Sequence, residues 1–401
     1  MQALEIKNYT LSTCLGAGAA ANWEKLAAQQ GGLKPCDFET VDLPTYIGEV
    51  PGVDAIVMRA GLEKFDCRNN RLVQLALQQD GFIEAVRQAI RQYGADRIGL
   101  FVGGSSSGIL QTELAYRNRQ TVDGVAGGAL PEDFHYQQTH NMHSAGAFVS
   151  AFLGLTGPTL TVSSACSSSA KVFGNAARMI EAGLIDAAVV GGVDSLCLTT
   201  LYGFNSLQLL SPEPARPYGE ERNGISIAEG AAFALLTKPD SLTARGTILL
   251  QGVGESSDAH HMSSPHPEGL GARMAMQSAL LSAGIEASHI GYINLHGTAT
   301  PSNDAAEGKA VHALFGDSTP CSSTKGATGH TLGAAGIVEA IICMMAMQHQ
   351  VLPAGINTNK IDPQFDINYV LANRPANIRY ALNNSFGFGG SNCSLVLGIA
   401  Q

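Results

Sequence analysis

The sequence predicts a layered α/β fold made of two similar halves. Strand-like apolar runs alternate with helical ones along almost the whole chain, and each half repeats a strand–helix–strand–helix rhythm. The composition also supports a large core, since 45% of the 401 residues are hydrophobic and only 14% are charged. The 46 glycines are dispersed and read as turns and close backbone approaches. The halves divide as residues 1–245 and 246–401, with a join near residues 238–246. The rhythm permits duplication, but no sequence repeat proves it.

In chain order, residues 53–58 read as a strand and 72–91 as one long amphipathic helix. A strand at 97–103 runs into the loop Gly103-Gly-Ser-Ser-Ser-Gly108. The β-branched run 159–164 reads as a buried strand. From Cys166 to about Gly183, Ala170, Phe173, Ala177, Ile180 and Leu184 recur at helical spacing. Asp186-Ala-Ala-Val-Val-Gly191 is a short apolar strand of the parallel, buried kind. Strands are expected at 231–236, 247–253 and 290–295, and helices at 273–283 and 333–349. Residues 383–390 read as a glycine-rich loop before a last strand at 394–397. The alternation predicts parallel sheets.

Charge and cysteine usage exclude several functions. Lys plus Arg is 24 against 34 Asp plus Glu, a formal charge of −10, which argues against nucleic acid or anionic membranes as main partners. No uninterrupted apolar run reaches the roughly 18 residues that span a bilayer, and Met1-Gln-Ala-Leu-Glu-Ile-Lys7 lacks the apolar stretch of a signal peptide. The eight cysteines (14, 36, 67, 166, 197, 321, 343 and 393) include no CxxC pair. Neither a disulfide framework nor a metal site is expected, and a reducing cytoplasm is the natural location.

Cys166 stands where a strand gives way to a helix, flanked by small residues. Free backbone N–H groups and the helix dipole favour thiolate there. A buried, inert thiol is the competing reading. Three more islands are unusual: His296 just past a strand end in Asn294-Leu-His-Gly-Thr-Ala-Thr300-Pro-Ser-Asn-Asp304, Lys325 and His330 in Ser322-Ser-Thr-Lys-Gly-Ala-Thr-Gly-His330, and Asn384-Ser-Phe386-Gly-Phe388-Gly-Gly390. His330 precedes a helix, where the dipole disfavours imidazolium. Each island alone has a structural explanation. A cysteine, two histidines and a lysine at strand–helix junctions are harder to explain as packing, and spacings of 130 and 34 residues suit a site assembled from both halves.

These four motifs, in this order, resemble the β-ketoacyl-acyl carrier protein synthases of the thiolase superfamily, specifically the Cys-His-His elongating branch. Ala215-Arg-Pro-Tyr-Gly219 and Ala228-Glu-Gly-Ala231 match a further family segment. The resemblance implies a thiolase-like fold, a layered αβαβα sandwich of two duplicated halves. It implies decarboxylative condensation of malonyl-carrier protein with an acyl group held on Cys166. The backbone amides of Cys166 and Phe388 would form the oxyanion hole, while His296 and His330 would hold the malonyl thioester oxygen. Lys325 would orient His330 with Glu339 as its partner, and Asp304 would hold the His296 loop. Thr298 and Thr300 would bind the pantetheine arm, with Phe388 and Phe386 gating the acyl pocket. No metal or diffusible cofactor is implied. The implied partners are acyl- and malonyl-loaded carrier protein, met through Arg59, Lys64, Arg68 and Arg71, and a second subunit, either identical or chain-length-factor-like.

Three departures stand out. Residues 4–14 resemble a shortened or altered form of the family's opening strand. Arg-Pro-Tyr-Gly replaces a frequent Arg-Pro-Phe-Asp. Ser106 replaces a residue that is often bulky, which predicts a longer or more polar acyl tunnel and a conjugated polyene or polyketide chain, as in aryl polyene clusters. The rival readings are a non-catalytic chain-length factor, which usually lacks the cysteine, a non-decarboxylating acyltransferase of the same fold, and a cysteine hydrolase on another fold.

Overall fold

A computed structural model of the chain describes residues 1–122, 125–240 and 243–400. Two sets of five strands share one order. In the first half β1 (Leu4–Thr13), β2 (Ile98–Gly103), β3 (Thr159–Val162), β4 (Ala187–Asp194) and β5 (Gly230–Thr237) lie as β3-β2-β4-β5-β1. In the second, β6 (Ile248–Ser257), β7 (Tyr292–Asn294), β8 (Pro320–Ser322), β9 (Tyr380–Gly387) and β10 (Ser391–Ile399) lie as β8-β7-β9-β10-β6. This shared order is the duplication that the sequence only permits. The two sets meet where Leu4 and Glu5 pair with Leu250 and Leu249.

The sheets are mixed, not parallel throughout. β3, β2 and β4 run parallel, as do β8, β7 and β9, while β5, β1, β10 and β6 join antiparallel. The turn Phe388–Gly390 joins β9 directly to β10, a connection open only to antiparallel strands.

Helices α1 (Arg68–Leu77), α2 (Phe82–Tyr93) and α3 (Ser144–Leu153) cover the outside of the first sheet. Helix α4 (Ser168–Glu181) follows β3, and α5 (Leu270–Ala283) and α6 (Pro301–Phe315) cover the second sheet. Helix α7 (Ala335–His349) joins α4 in the middle layer, in one apolar cluster with both sheets. β5 shows the resulting alternation: Ala232, Ala234 and Leu236 face the middle, whereas Ala231, Phe233 and Leu235 face α1 to α3. A Cβ on Gly336 would stand 2.6 Å from the Ala170 amide nitrogen, so glycine is what lets the two central helices touch. The stretch Leu332–His349 has the length and hydropathy of a membrane span, yet 89% of it is buried inside the fold.

Several expectations are corrected. Residues 53–58 hold only the short turn Val53–Ala55; Val53 and Met58 pack into the outer core, which explains their apolar character. The expected helix 72–91 is two helices, because Asp80 and Gly81 take left-handed φ values of 54° and 68°. β3 is an edge strand with half-buried residues, and Leu160 is 47% exposed. β1 is a ten-residue strand near the centre of the sheet. Residues 383–387 belong to β9, so the glycine-rich loop shrinks to a three-residue turn.

Arg68 is not on a docking face. Its guanidinium is buried and bonds Glu229 at 2.8 and 2.7 Å, Asp54 at 2.8 Å and Glu49 at 2.9 Å. Arg59 donates to the Phe152 carbonyl and Arg71 pairs with Asp66, while Lys64 stays exposed. Removing Arg68 strands the fully buried Glu229 carboxylate. Arg68→Ala is therefore expected to lose about 3–5 kcal/mol of unfolding free energy in urea titrations. A loss below about 1 kcal/mol would mean the pair is solvated, as surface pairs are.

Candidate active site

Cys166 occupies a sharp turn between β3 and α4. Ala165 before it has φ 51°, and the turn is stapled by Ser167 Oγ donating to the Ser164 carbonyl at 2.9 Å and Ser168 Oγ donating to the Ala165 carbonyl at 2.6 Å. The serines around the cysteine thus shape its bend, leaving the thiol free at the mouth of α4. From the other half, Gly387 at the end of β9 comes so close that a Cβ there would lie 3.2 Å from the Cys166 amide nitrogen. The next N–H, that of Phe388, is aimed at the Cys166 sulfur. The Phe388 N–H thus supplies a backbone donor to the thiol, and the Cys166 amide nitrogen lies close by.

Both histidines reach the same point. His330 Nε2 lies 3.2 Å from Cys166 Sγ, and the His296 and His330 rings meet edge-on with centroids 5.3 Å apart. The His330 backbone is pinned by donating to the Ser226 carbonyl at 2.8 Å and accepting from Ala228 N–H at 3.0 Å. Lys325, buried, touches His296 and not His330, contrary to expectation. Its Nζ lies 3.3 Å from His296 Nδ1, donates to the His296 carbonyl at 2.6 Å and pairs with Glu339.

Burial dominates the electrostatics. It pushes both histidines well below their usual pKa, with the Lys325 charge acting in the same direction. Their neutrality thus follows from desolvation, where the sequence suggested a helix dipole. Burial also pushes the Cys166 thiol up to about 11, against the opposing pull of Lys325 and the Phe388 N–H. The resting cysteine is a thiol, so the thiolate expected from the helix terminus is corrected. A protonated thiol beside a buried ammonium also makes a poor metal site, although the donor atoms of Cys166, His296 and His330 lie within 4.8 Å of one another.

Glu307 on α6 is a residue of the site that the sequence reading missed. It accepts from the His296 and Gly297 N–H groups at 2.8 and 2.7 Å and from Asn384 Nδ2 at 3.1 Å. The Tyr218 hydroxyl, which phenylalanine would lack, donates to it at 3.1 Å. Its signal was present: Glu307 is three residues after Asp304, on the same helix face. Asp304 accepts from Ala299 N–H at 3.2 Å and Tyr218 N–H at 2.8 Å, and so holds the far side of the loop.

The cavity in front of Cys166 is lined by His296, His330, Thr298, Thr300, Phe386 and Phe388. Thr298 and Thr300 share a 2.9 Å hydroxyl contact, and Phe388 packs on Phe204 at 5.7 Å. Ser106 does not line this cavity. It is fully buried, and its Oγ donates to Asp194 at 2.7 Å, so a free polar floor is ruled out there.

Comparison with known proteins gives this geometry a family. The β-ketoacyl synthase N-terminal domain matches residues 9–242, and the C-terminal domain matches residues 248–359. The chain belongs to the β-ketoacyl synthase family. It is accordingly a ketosynthase, an enzyme that transfers an acyl group and forms a carbon–carbon bond. A 3-oxoacyl-[acyl-carrier-protein] synthase 2 from Vibrio cholerae is 34% identical over 411 residues, 95% of each chain. A ketosynthase (ApeO) from Xenorhabdus doucetiae, solved in complex with its chain length factor (ApeC), superposes with TM-score 0.89 at 38% identity, covering 100% of this chain and 98% of that one. The ishigamide ketosynthase/chain length factor superposes with TM-score 0.86 at 25% identity, covering 100% of both chains.

A thiol shifted up to about 11 is mostly protonated near neutrality, so its reactivity must climb with pH. Iodoacetamide labelling of Cys166, followed by peptide mass spectrometry, is expected to accelerate by about tenfold per pH unit between roughly pH 7 and 10. A rate already flat at pH 7 would show a preformed thiolate.

Proposed function

We propose that this ketosynthase runs a two-stage decarboxylative condensation in which Cys166, His296 and His330 carry the chemistry. The reading rests on the 3.2 Å contact between His330 Nε2 and Cys166 Sγ, with His296 and the Phe388 N–H around the same point. An acyl thioester on carrier protein enters past Thr298 and Thr300. Cys166 attacks the thioester carbonyl as it gives up its proton, which the departing carrier thiol takes away, and His330 keeps its own Nε2–H for the second stage. The Cys166 and Phe388 amides stabilise the oxyanion. Malonyl-carrier protein follows, its thioester oxygen accepting hydrogen bonds from the two neutral imidazoles while carbon dioxide departs. The resulting carbanion attacks the acyl group, expelling the Cys166 thiolate, which takes up one proton. Lys325 holds His296 in place, and no metal or diffusible cofactor enters the sequence of steps.

The chain carried is a polyene or polyketide intermediate, and the second subunit is a chain-length-factor-like partner set against the open edge of β3. The support is the likeness to ketosynthases solved with such factors, together with the half-exposed β3 edge. A polar floor at Ser106 no longer contributes to this reading, since Asp194 takes its hydroxyl.

Intact mass spectrometry after mixing with acyl-carrier protein is expected to show one acyl adduct, absent in Cys166→Ala. His296→Ala should retain acylation yet lose carbon dioxide release from malonyl-carrier protein by about 100-fold or more. An adduct surviving Cys166→Ala would sink the assignment, and equal losses of both half-reactions in His296→Ala would remove the division of labour.

A further inference from the structure

The proposed chemistry leaves the buried carboxylate of Asp194 unused. Asp194 ends β4 and is fully buried, and among the described residues no lysine or arginine forms an ion pair with it. Its neighbours are all hydrogen-bond donors. Oδ1 accepts from Ser105 N–H at 2.8 Å, Ser106 N–H at 2.6 Å and Ser106 Oγ at 2.7 Å. Oδ2 accepts from Ser105 N–H at 3.0 Å, Ser105 Oγ at 2.7 Å and Gly333 N–H at 2.6 Å. The carboxylate therefore joins the loop after β2 to the turn after His330. That turn is tight: Leu332 has φ 50°, and a Cβ on Gly333 would lie 2.7 Å from Asp194 Oδ2.

The fold repeats this device. β2 and β7 hold the same place in the two half-sheets, and past each one a buried carboxylate accepts two consecutive N–H groups. Past β7 it is Glu307 that aims His296. Past β2 it is Asp194, whose third anchor is Gly333, three residues from His330. His330 has particular need of such an anchor. Its Nδ1 is buried without a hydrogen-bond partner among the described residues, so no side-chain hydrogen bond fixes the ring from behind. Its direction depends on the backbone, held on one side by Ser226 and Ala228 and on the other by Gly333.

We infer that Asp194 is a positioning residue for the condensation, aiming His330 at Cys166 through Gly333. The inference rests on the roles assigned to Cys166 and His330 above. Around Cys166 the other charged or titratable groups are Lys325, Glu339, His296 and His330, with Glu307 behind His296. Asp194 also faces the Cys197 thiol, and Glu229 bonds the Leu196 N–H two residues further on. Of the charged groups acting on Cys166, Lys325 favours the thiolate, whereas Asp194 and Glu339 oppose it.

The test uses the whole protein and two variants. Asp194→Asn removes the charge at nearly constant shape. Alkylation of Cys166 by iodoacetamide at pH 8 is expected to speed up at least threefold. With carrier-bound substrates, kcat should fall at least tenfold while KM stays within threefold. The double variant Ser105→Ala with Ser106→Ala keeps the carboxylate but strips two hydroxyl donors, leaving the charge less compensated. There alkylation should slow at least twofold. A loosened site would accelerate both variants alike, so movement in the same direction, or no movement in either, overturns the inference. Should Asp194→Asn not fold, unchanged alkylation in the double variant is by itself enough to overturn it. Alkylation needs no carrier protein, so its outcome is independent of whether the proposed condensation is the reaction catalysed.

Discussion

The site depends on one buried cation. Lys325 is almost completely enclosed, and its ammonium contacts Glu339, the His296 carbonyl and His296 Nδ1. Placing a charge inside a protein is expensive unless its hydrogen-bonding capacity is met. Here three acceptors converge on it, drawn from α7 and from the segment after β7. That charge then acts on every reacting group. It depresses both histidines and pulls the Cys166 thiol towards ionisation, against the burial that dominates all three. Without it, the pocket would still be dry, but its imidazoles would be less firmly neutral and its thiol less acidic.

Such convergence is possible because the duplicated halves bring their central helices together. α4 starts just after Cys166 and α7 starts soon after His330, and the two meet at Ala170 and Gly336. Close approach of the helix starts forces the residues before them into one small volume. The halves are not used alike, however. The first supplies the nucleophile, and the second supplies both histidines and the lysine. At the place in the first half equivalent to His296, serines and Asp194 form a closed set of hydrogen bonds. Duplication thus gives two similar frameworks, of which one holds reactive groups and the other braces them.

What the sequence made legible follows from the range of the forces involved. Cys166, His296 and Lys325 could be found because each stands just past a strand and before or at a helix start, a junction readable from local periodicity, and His330 because it precedes the apolar helix α7. Glu307 was missed because its partners are backbone amides ten and eleven residues away, reached only after the chain turns back. Arg68 was misread for a similar reason. Four basic residues within a short stretch look like a surface patch, and the Glu229 that buries one of them lies 161 residues on. The merged helix at 72–91 failed differently. Its apolar period continues across Asp80 and Gly81, and only the backbone shows the left-handed break. Leu160 read as buried because composition does not reveal that a strand lies at an edge.

The cysteine shows how competing effects are decided by magnitude. A helix start offers a thiolate on the order of 1 kcal/mol of dipole stabilisation, whereas complete burial shifts an ionisable group by several pKa units at about 1.4 kcal/mol each. Cys166 is buried, so desolvation wins and the free thiol keeps its proton. A neutral thiol is also the resting state less prone to oxidation, since thiolate is the reactive form. In the proposed chemistry, the charge created when the sulfur attacks is passed to the carbonyl oxygen between the Cys166 and Phe388 amides, so thiolate need never accumulate. The helix terminus and the oxyanion donors then serve the transition state more than the resting enzyme, which is where their stabilisation accelerates the reaction.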